Sequence, residues 1–278
     1  MPSRAERWFR THDGTEGCLA DFTTTSANSK IAVIIAHPWG PLGGNLHNNV
    51  VAAVAMFFQQ LKITTVRFNF SGWQIGRGHG QVDQVVSLAQ QLYDGTLFAT
   101  TATTDNQQSG VEHVLLVGYS YGSLITASAA ADLCSSSAFP PNFLMGSVSI
   151  APPFGVQHWL LCWSHQTHLQ KAITLQANDD DENNNDPLRQ QARETLPRLL
   201  VIGSCDNFTS EATFQKVLQS YNNNARQVAT GAVMDHVDHF FAGHERDLVN
   251  VMAQWLLQTY DQTCQGDLQH LRNYSKTS

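Results

Sequence analysis

The chain alternates between short apolar runs and segments with helical periodicity. Ile31–Ala36 reads Ile-Ala-Val-Ile-Ile-Ala, six apolar residues without a polar break. Runs of this length and composition fit a strand buried on both faces of a sheet. Asn45–Leu61 then places Val50, Val54, Phe57, Phe58 and Leu61 on one helical face. The next strand is predicted over Thr64–Phe70, a helix over Gln81–Phe98, a strand over Val111–Val117 and an Ala-rich helix over Ser123–Cys134. Leu144–Ile150 and Leu199–Ile202 are further strands, the first stopped by Pro152-Pro153 and the second preceded by Pro197. Phe208–Tyr221 is predicted helical, Gln227–Val233 a strand, and Phe241–Tyr260 a closing helix. Residues 6–24 read as an exposed antiparallel hairpin around the polar turn His12-Asp13-Gly14-Thr15.

Strands that alternate with helices predict a mostly parallel sheet covered on both faces, an α/β architecture. One such sheet needs most of the 278 residues, so a single domain over 1–278 is expected. The segment 155–197 interrupts the alternation and is long for a strand–helix connection. Its beginning, His158 to Trp163, is apolar enough to form a short helix over a site, so a lid-like insertion is expected. Residues 178–186 are only Asn, Asp and one Glu, which cannot bury apolar surface and suit a mobile loop. Calcium binding there would need the ligand pattern and glycine of an EF-hand, which this run lacks. The segment 100–110 is polar and is expected to be a surface loop.

Composition narrows the function classes. Hydrophobic residues are 42% of the chain, enough for a sizeable core. Formal net charge is −7 and the 16 Lys and Arg are scattered, which argues against nucleic acid as a partner. No run of 18 apolar residues predicts a membrane span, and the N-terminal residues lack the apolar core of a secretory signal. Five cysteines, an odd number without CxxC spacing, suit free thiols in a reducing compartment. A cytoplasmic location is expected.

The chemical signal is Gly118-Tyr119-Ser120-Tyr121-Gly122, placed after an apolar strand and before a helix. G-x-S-x-G in that context is the nucleophile elbow, in which Ser120 sits on a strained turn with small neighbours on either side. A serine needs a base to become nucleophilic, and in this arrangement the acid and then the base follow in the chain. Asp206 lies just past the strand at 199–202 and is the candidate acid; as a bland alternative it caps the helix from Phe208. The base is expected after the last strand, where His236 and His239 both qualify by spacing. Two N–H donors are also needed for a developing oxyanion. One is expected from the backbone of Tyr121, the other from the loop His37–Gly44. Pro38 and Pro41 have no N–H, which leaves Trp39 as the best candidate there, with Gly40 behind it. His165 with His168, and His236 with His239, have spacing that could suggest metal ligands, but no Cys or carboxylate completes a zinc set, so no metal is expected. Trp39, Trp73, His158, Trp159 and Trp163 could border an apolar pocket, with Trp73 and Trp159 as candidate substrate contacts; equally, they could fill the core.

Several segments together resemble the small dienelactone-hydrolase-like members of the α/β-hydrolase superfamily. They are His37-Pro38 with Gly43-Gly44, His47-Asn48, Arg67-Phe68-Asn69-Phe70, the elbow, Ala151-Pro152-Pro153, Gly203 with Asp206, and Asp238-His239-Phe240-Phe241. The resemblance spans roughly 31 to 260. It implies His239 rather than His236 as base, Asp206 as acid and Ser120 as nucleophile. It also implies hydrolysis of a carboxylic ester or related acyl bond in a small-molecule substrate, with no cofactor. The first loop departs from the pattern at Trp39-Gly40-Pro41, and the loop after Phe70 departs at Ser71-Gly72. Two other readings stand beside this one: a hydrolase-fold scaffold that binds without turnover, and the same triad acting on a thioester or peptide.

Overall fold

The computed structural model describes residues 6–23, 29–71, 77–99, 110–177, 186–223 and 229–260. Among the described residues eight strands form one sheet: β1 (Glu6–Arg10), β2 (Glu16–Ala20), β3 (Ile31–Ala36), β4 (Thr64–Asn69), β5 (His113–Tyr119), β6 (Leu144–Ile150), β7 (Arg198–Gly203) and β8 (Ala229–Met234). Their order is β1-β2-β4-β3-β5-β6-β7-β8. The expected N-terminal hairpin is present: β1 and β2 pair antiparallel, and β2 adds antiparallel to β4. All remaining pairs are parallel.

Strand alternation sorts the core into two layers. Ala32, Ile34 and Ala36 of β3 face one side, with α2 (His79–Tyr93), α3 (Tyr121–Ser135) and α7 (Glu211–Asn222). Ile31, Val33 and Ile35 face the other, with α1 (Asn49–Gln60) and α8 (Glu245–Tyr260). A strand buried on both faces requires its apolar run to be continuous, as Ile31–Ala36 is. No helix among the described residues is long and apolar enough to cross a membrane.

The 155–197 segment is the crossover from β6 to β7. It holds the single turn α4 (Gln157–Leu160), α5 (His165–Thr174) and α6 (Pro187–Thr195). Helices α5 and α6 pack against α3. His168 is buried in that contact; its Nε2–H donates to the Arg77 carbonyl and its Nδ1 accepts from the Ser128 hydroxyl. Both ring nitrogens are therefore used in packing the helix. The runs 100–109 and 178–185 lie outside the described residues.

Three helices start later than the apolar pattern predicts. Helix α1 begins at Asn49 rather than Asn45, because Asn48 N–H donates to the Asn45 carbonyl and Asn45 N–H donates to Asn48 Oδ1, closing a turn. Helix α7 begins at Glu211 with Ser210 as its cap, its hydroxyl accepting from Thr213 N–H. Helix α8 begins at Glu245, after Phe241 and Gly243 both take positive φ. Each postponed start lies in a loop at the carboxyl edge of the sheet.

Candidate active site

Ser120 lies between β5 and α3 with φ 53° and ψ −121°. A left-handed φ is strained for a residue with a Cβ, and such strain persists only where the surroundings enforce it. Here the neighbours do so by close approach. A Cβ on Gly118 would lie 2.3 Å from Thr126 Oγ1, and one on Gly122 would lie 2.6 Å from the carbonyl oxygens of Ala36 and His37. Ser120 N–H donates to the Ile150 carbonyl (2.8 Å), and the Ser120 carbonyl accepts from Ser123 N–H and Ser123 Oγ–H. The turn is held on both sides, and the hydroxyl is left at the sheet edge.

The base loop brings His239 to that hydroxyl. Ser120 Oγ is 2.9 Å from His239 Nε2, and His239 Nδ1 is 2.8 Å from Asp206 Oδ2. The carboxylate accepts only, so Nδ1 carries the proton and Nε2 is free to accept from the serine. Ser120 is 8% and His239 4% exposed. Asp206 divides its oxygens: Oδ1 accepts from the N–H groups of Phe208 (2.7 Å) and Thr209 (3.0 Å), while Oδ2 faces the imidazole. It thus caps the turn before α7, two residues ahead of the helix start expected from sequence and five ahead of the observed one. Tyr119 O–H donates to the His239 carbonyl (3.0 Å), and the Phe208 ring lies 4.3 Å from the imidazole. Burial, then the charge of Asp206, hold the Tyr119 phenol above its ordinary pKa, so it stays a donor. His236 lies three residues away at φ 60°, exposed, its N–H donating to Ser204 Oγ. Ser120 is instead hydrogen-bonded to His239.

The loop after β3 is fixed by its own network. His37 is buried; its Nε2 accepts from Phe70 N–H and its Nδ1–H donates to the Pro38 carbonyl. Burial pushes its pKa down to about 4, against a smaller upward pull from the Pro38 carbonyl, so the ring is neutral. Leu46 N–H donates to Asn69 Oδ1, and its carbonyl accepts from Arg67, which also pairs with Glu6 through two nitrogens. Gly44 N–H donates to the Trp39 carbonyl, and a Cβ on Gly44 would fall 2.0 Å from the Pro38 oxygen.

A cavity of about 320 Å³ opens over Ser120 and His239. Pro38, Trp39, Val156, Leu160, Phe208 and Phe240 contribute apolar surface to its lining. Among the described residues, no Lys, Arg, Asp or Glu side chain lines it. Trp159 is not brought to this cavity. It is 77% exposed, while Val156 and Leu160, one helical turn apart, point the apolar face of the same segment inward. Trp73 falls outside the described residues. Pattern reading missed Asn49, Tyr119 and Phe208 as cavity residues. Their closeness in sequence to Asn48, Ser120 and Asp206, one or two residues away, was the available signal.

Neither family models nor curated proteins match this sequence. Solved structures do match the fold. A serine hydrolase homologue from Coxiella burnetii has a TM-score of 0.61 at 19% identity, over 91% of this chain and 98% of its own. A serine hydrolase without lid from Xanthomonas campestris gives 0.60 at 20% identity, over 93% and 96%. A dienelactone hydrolase from Anabaena variabilis gives 0.54 at 14% identity, over 92% and 99%. The chain has the α/β-hydrolase fold, as the order of its strands and these likenesses show.

Proposed function

We propose that this protein is a serine hydrolase that cleaves a carboxylic ester or a related acyl bond. The observation that carries the reading is the hydrogen-bonded chain from Ser120 through His239 to Asp206 at the floor of an apolar cavity. In this scheme His239 takes the proton of Ser120 as the hydroxyl attacks the acyl carbonyl. Asp206 holds the imidazole in the required tautomer and stabilises its charged form. His239 then returns the proton to the leaving alkoxide, and water, activated by the same base, releases the acid. The backbone N–H groups of Tyr121 and Trp39 are the proposed oxyanion donors; Trp39 lines the cavity, and Tyr121 opens α3, whose positive end favours the developing charge.

The lining favours an uncharged, largely apolar substrate, because an ionised group entering it would lose hydration without gaining an opposite charge. A three-membered hydrogen-bond chain beneath an open cavity also favours turnover over a binding scaffold. The test is covalent labelling with a fluorophosphonate, read by intact mass, on wild type and Ser120→Ala. Stoichiometric labelling of wild type alone is expected; absence of labelling on folded wild type would turn the reading toward the scaffold.

A further inference from the structure

Asn48 is one of the polar residues lining the cavity. Each polar group there has a countable set of partners. The Tyr119 hydroxyl is spent on the His239 carbonyl. The Asn49 amide NH2 is spent on the Phe240 carbonyl (2.9 Å) and Glu245 Oε1 (2.8 Å). Ser120 and His239 are bonded to each other. Asn48 differs. Its N–H donates to the Asn45 carbonyl, its carbonyl accepts from Ala52 N–H, and its Oδ1 accepts from Asn45 N–H at 2.6 Å. The last bond fixes the amide orientation, since a backbone N–H only donates and the atom facing it must be the oxygen. Among the described residues the side-chain NH2 is left over. It is a two-proton donor on the wall of a cavity whose other surface is mostly apolar.

We infer that Asn48 is a specificity-determining residue whose side-chain NH2 binds a hydrogen-bond acceptor on the substrate, distinct from the scissile carbonyl. The inference rests on the proposed hydrolase reading and narrows its substrate class. The preferred substrate is an uncharged ester with an ether, keto or second ester oxygen set among apolar carbons. Such an oxygen gains a partner at Asn48, whereas an all-carbon ester leaves that donor unpaired when it displaces water.

The experiment compares matched aryl and alkyl esters in which one methylene of the acyl chain, or one of the alcohol chain, is replaced by an ether oxygen. The kcat/KM ratio of ether to all-carbon ester is measured for wild type, Asn48→Asp and Asn48→Ala, with Ser120→Ala as blank. Asn48→Asp is the informative variant, because its carboxylate still accepts from Asn45 N–H and preserves the turn while offering no donor. In at least one pair the ratio is expected to fall roughly three- to tenfold in both variants, the size of one hydrogen bond. Serine-dependent hydrolysis with every ratio unchanged in Asn48→Asp would overturn the role of Asn48 and leave the hydrolase reading standing. Wild type that neither hydrolyses any ester nor takes a fluorophosphonate would overturn both.

Discussion

His37 Nε2 accepts the backbone N–H of Phe70 at 3.0 Å, so a neutral imidazole ties the loop after β3 to the end of β4. A protonated ring has no lone pair at Nε2 and would face that N–H with a second donor. Burial therefore lowers the folded pKa to about 4 from an unfolded value of 6.5. Between these values the unfolded chain binds a proton that the folded chain does not. The contribution of His37 is complete above about pH 6.5 and is lost as pH falls toward 4, by up to about 3 kcal/mol. Denaturant melts from pH 4 to 7 should show this slope in wild type and a flatter one in His37→Phe. Equal slopes would remove His37 from the acid response.

At Gly122, α3 passes close to the end of β3. A methyl group there would stand 2.6 Å from two backbone carbonyl oxygens, which no side-chain rotation relieves. Gly122→Ala should cost about 1–3 kcal/mol and displace the elbow, so that thermal stability and fluorophosphonate labelling fall together. A variant with wild-type melting and full labelling would show that the approach of α3 to β3 is looser than described.

Asp206 serves two partners through different oxygens, and this makes Asp206→Asn informative. The amide oxygen would stay on the N–H groups of Phe208 and Thr209, which require an acceptor. Its NH2 would then face His239 Nδ1 and force the proton onto Nε2, where it can no longer accept from Ser120. Ester turnover should fall by about 10⁴, as the wrong imidazole tautomer does in other triads, with melting nearly unchanged. Turnover within tenfold of wild type would place the base elsewhere.

Leu42 and Phe240 line the cavity yet are 73% and 55% exposed, so the mouth is apolar where it meets solvent. A hydrocarbon chain leaving the cavity would cover them. For Leu42→Ser, the octanoate-to-acetate ratio of kcat/KM should fall roughly fivefold, equivalent to about 1 kcal/mol of lost burial. A chain-length series with the same ratio in both proteins would show that long acyl groups take another path.

The elements that carry the site were legible to different degrees. Ile31–Ala36 was read to the residue because a strand buried on both faces writes its limits as an uninterrupted apolar run; Leu144–Ile150, interrupted by Gly146, Ser147 and Ser149, was read to the residue with Pro152-Pro153 marking its stop. The starts of α1, α7 and α8 were misplaced, and all three errors fall on site loops. There the backbone follows short-range polar bonds, Asn45 with Asn48 and Ser210 with Thr213, or conformations such as φ 54° at Phe241, to which apolar periodicity is blind. The elbow was readable because Gly118 and Gly122 record a steric requirement in composition. Trp159 was misjudged because apolar character does not say which way a side chain on a single helical turn points.

By itself the sequence determined the alternating architecture, the N-terminal hairpin and the position of the elbow, since burial on two faces and close backbone approach each demand particular residues at particular spacings. Spacing left His236 and His239 level, and the resemblance alone favoured the second. Only the tertiary structure placed His239 Nε2 2.9 Å from Ser120 Oγ, split the oxygens of Asp206 between backbone and imidazole, and put Asn48 at the cavity with its side-chain NH2 unpartnered among the described residues. Those relations join residues more than thirty, and up to 119, positions apart, or depend on which of several bonds a group has already made; local sequence carries neither kind of information.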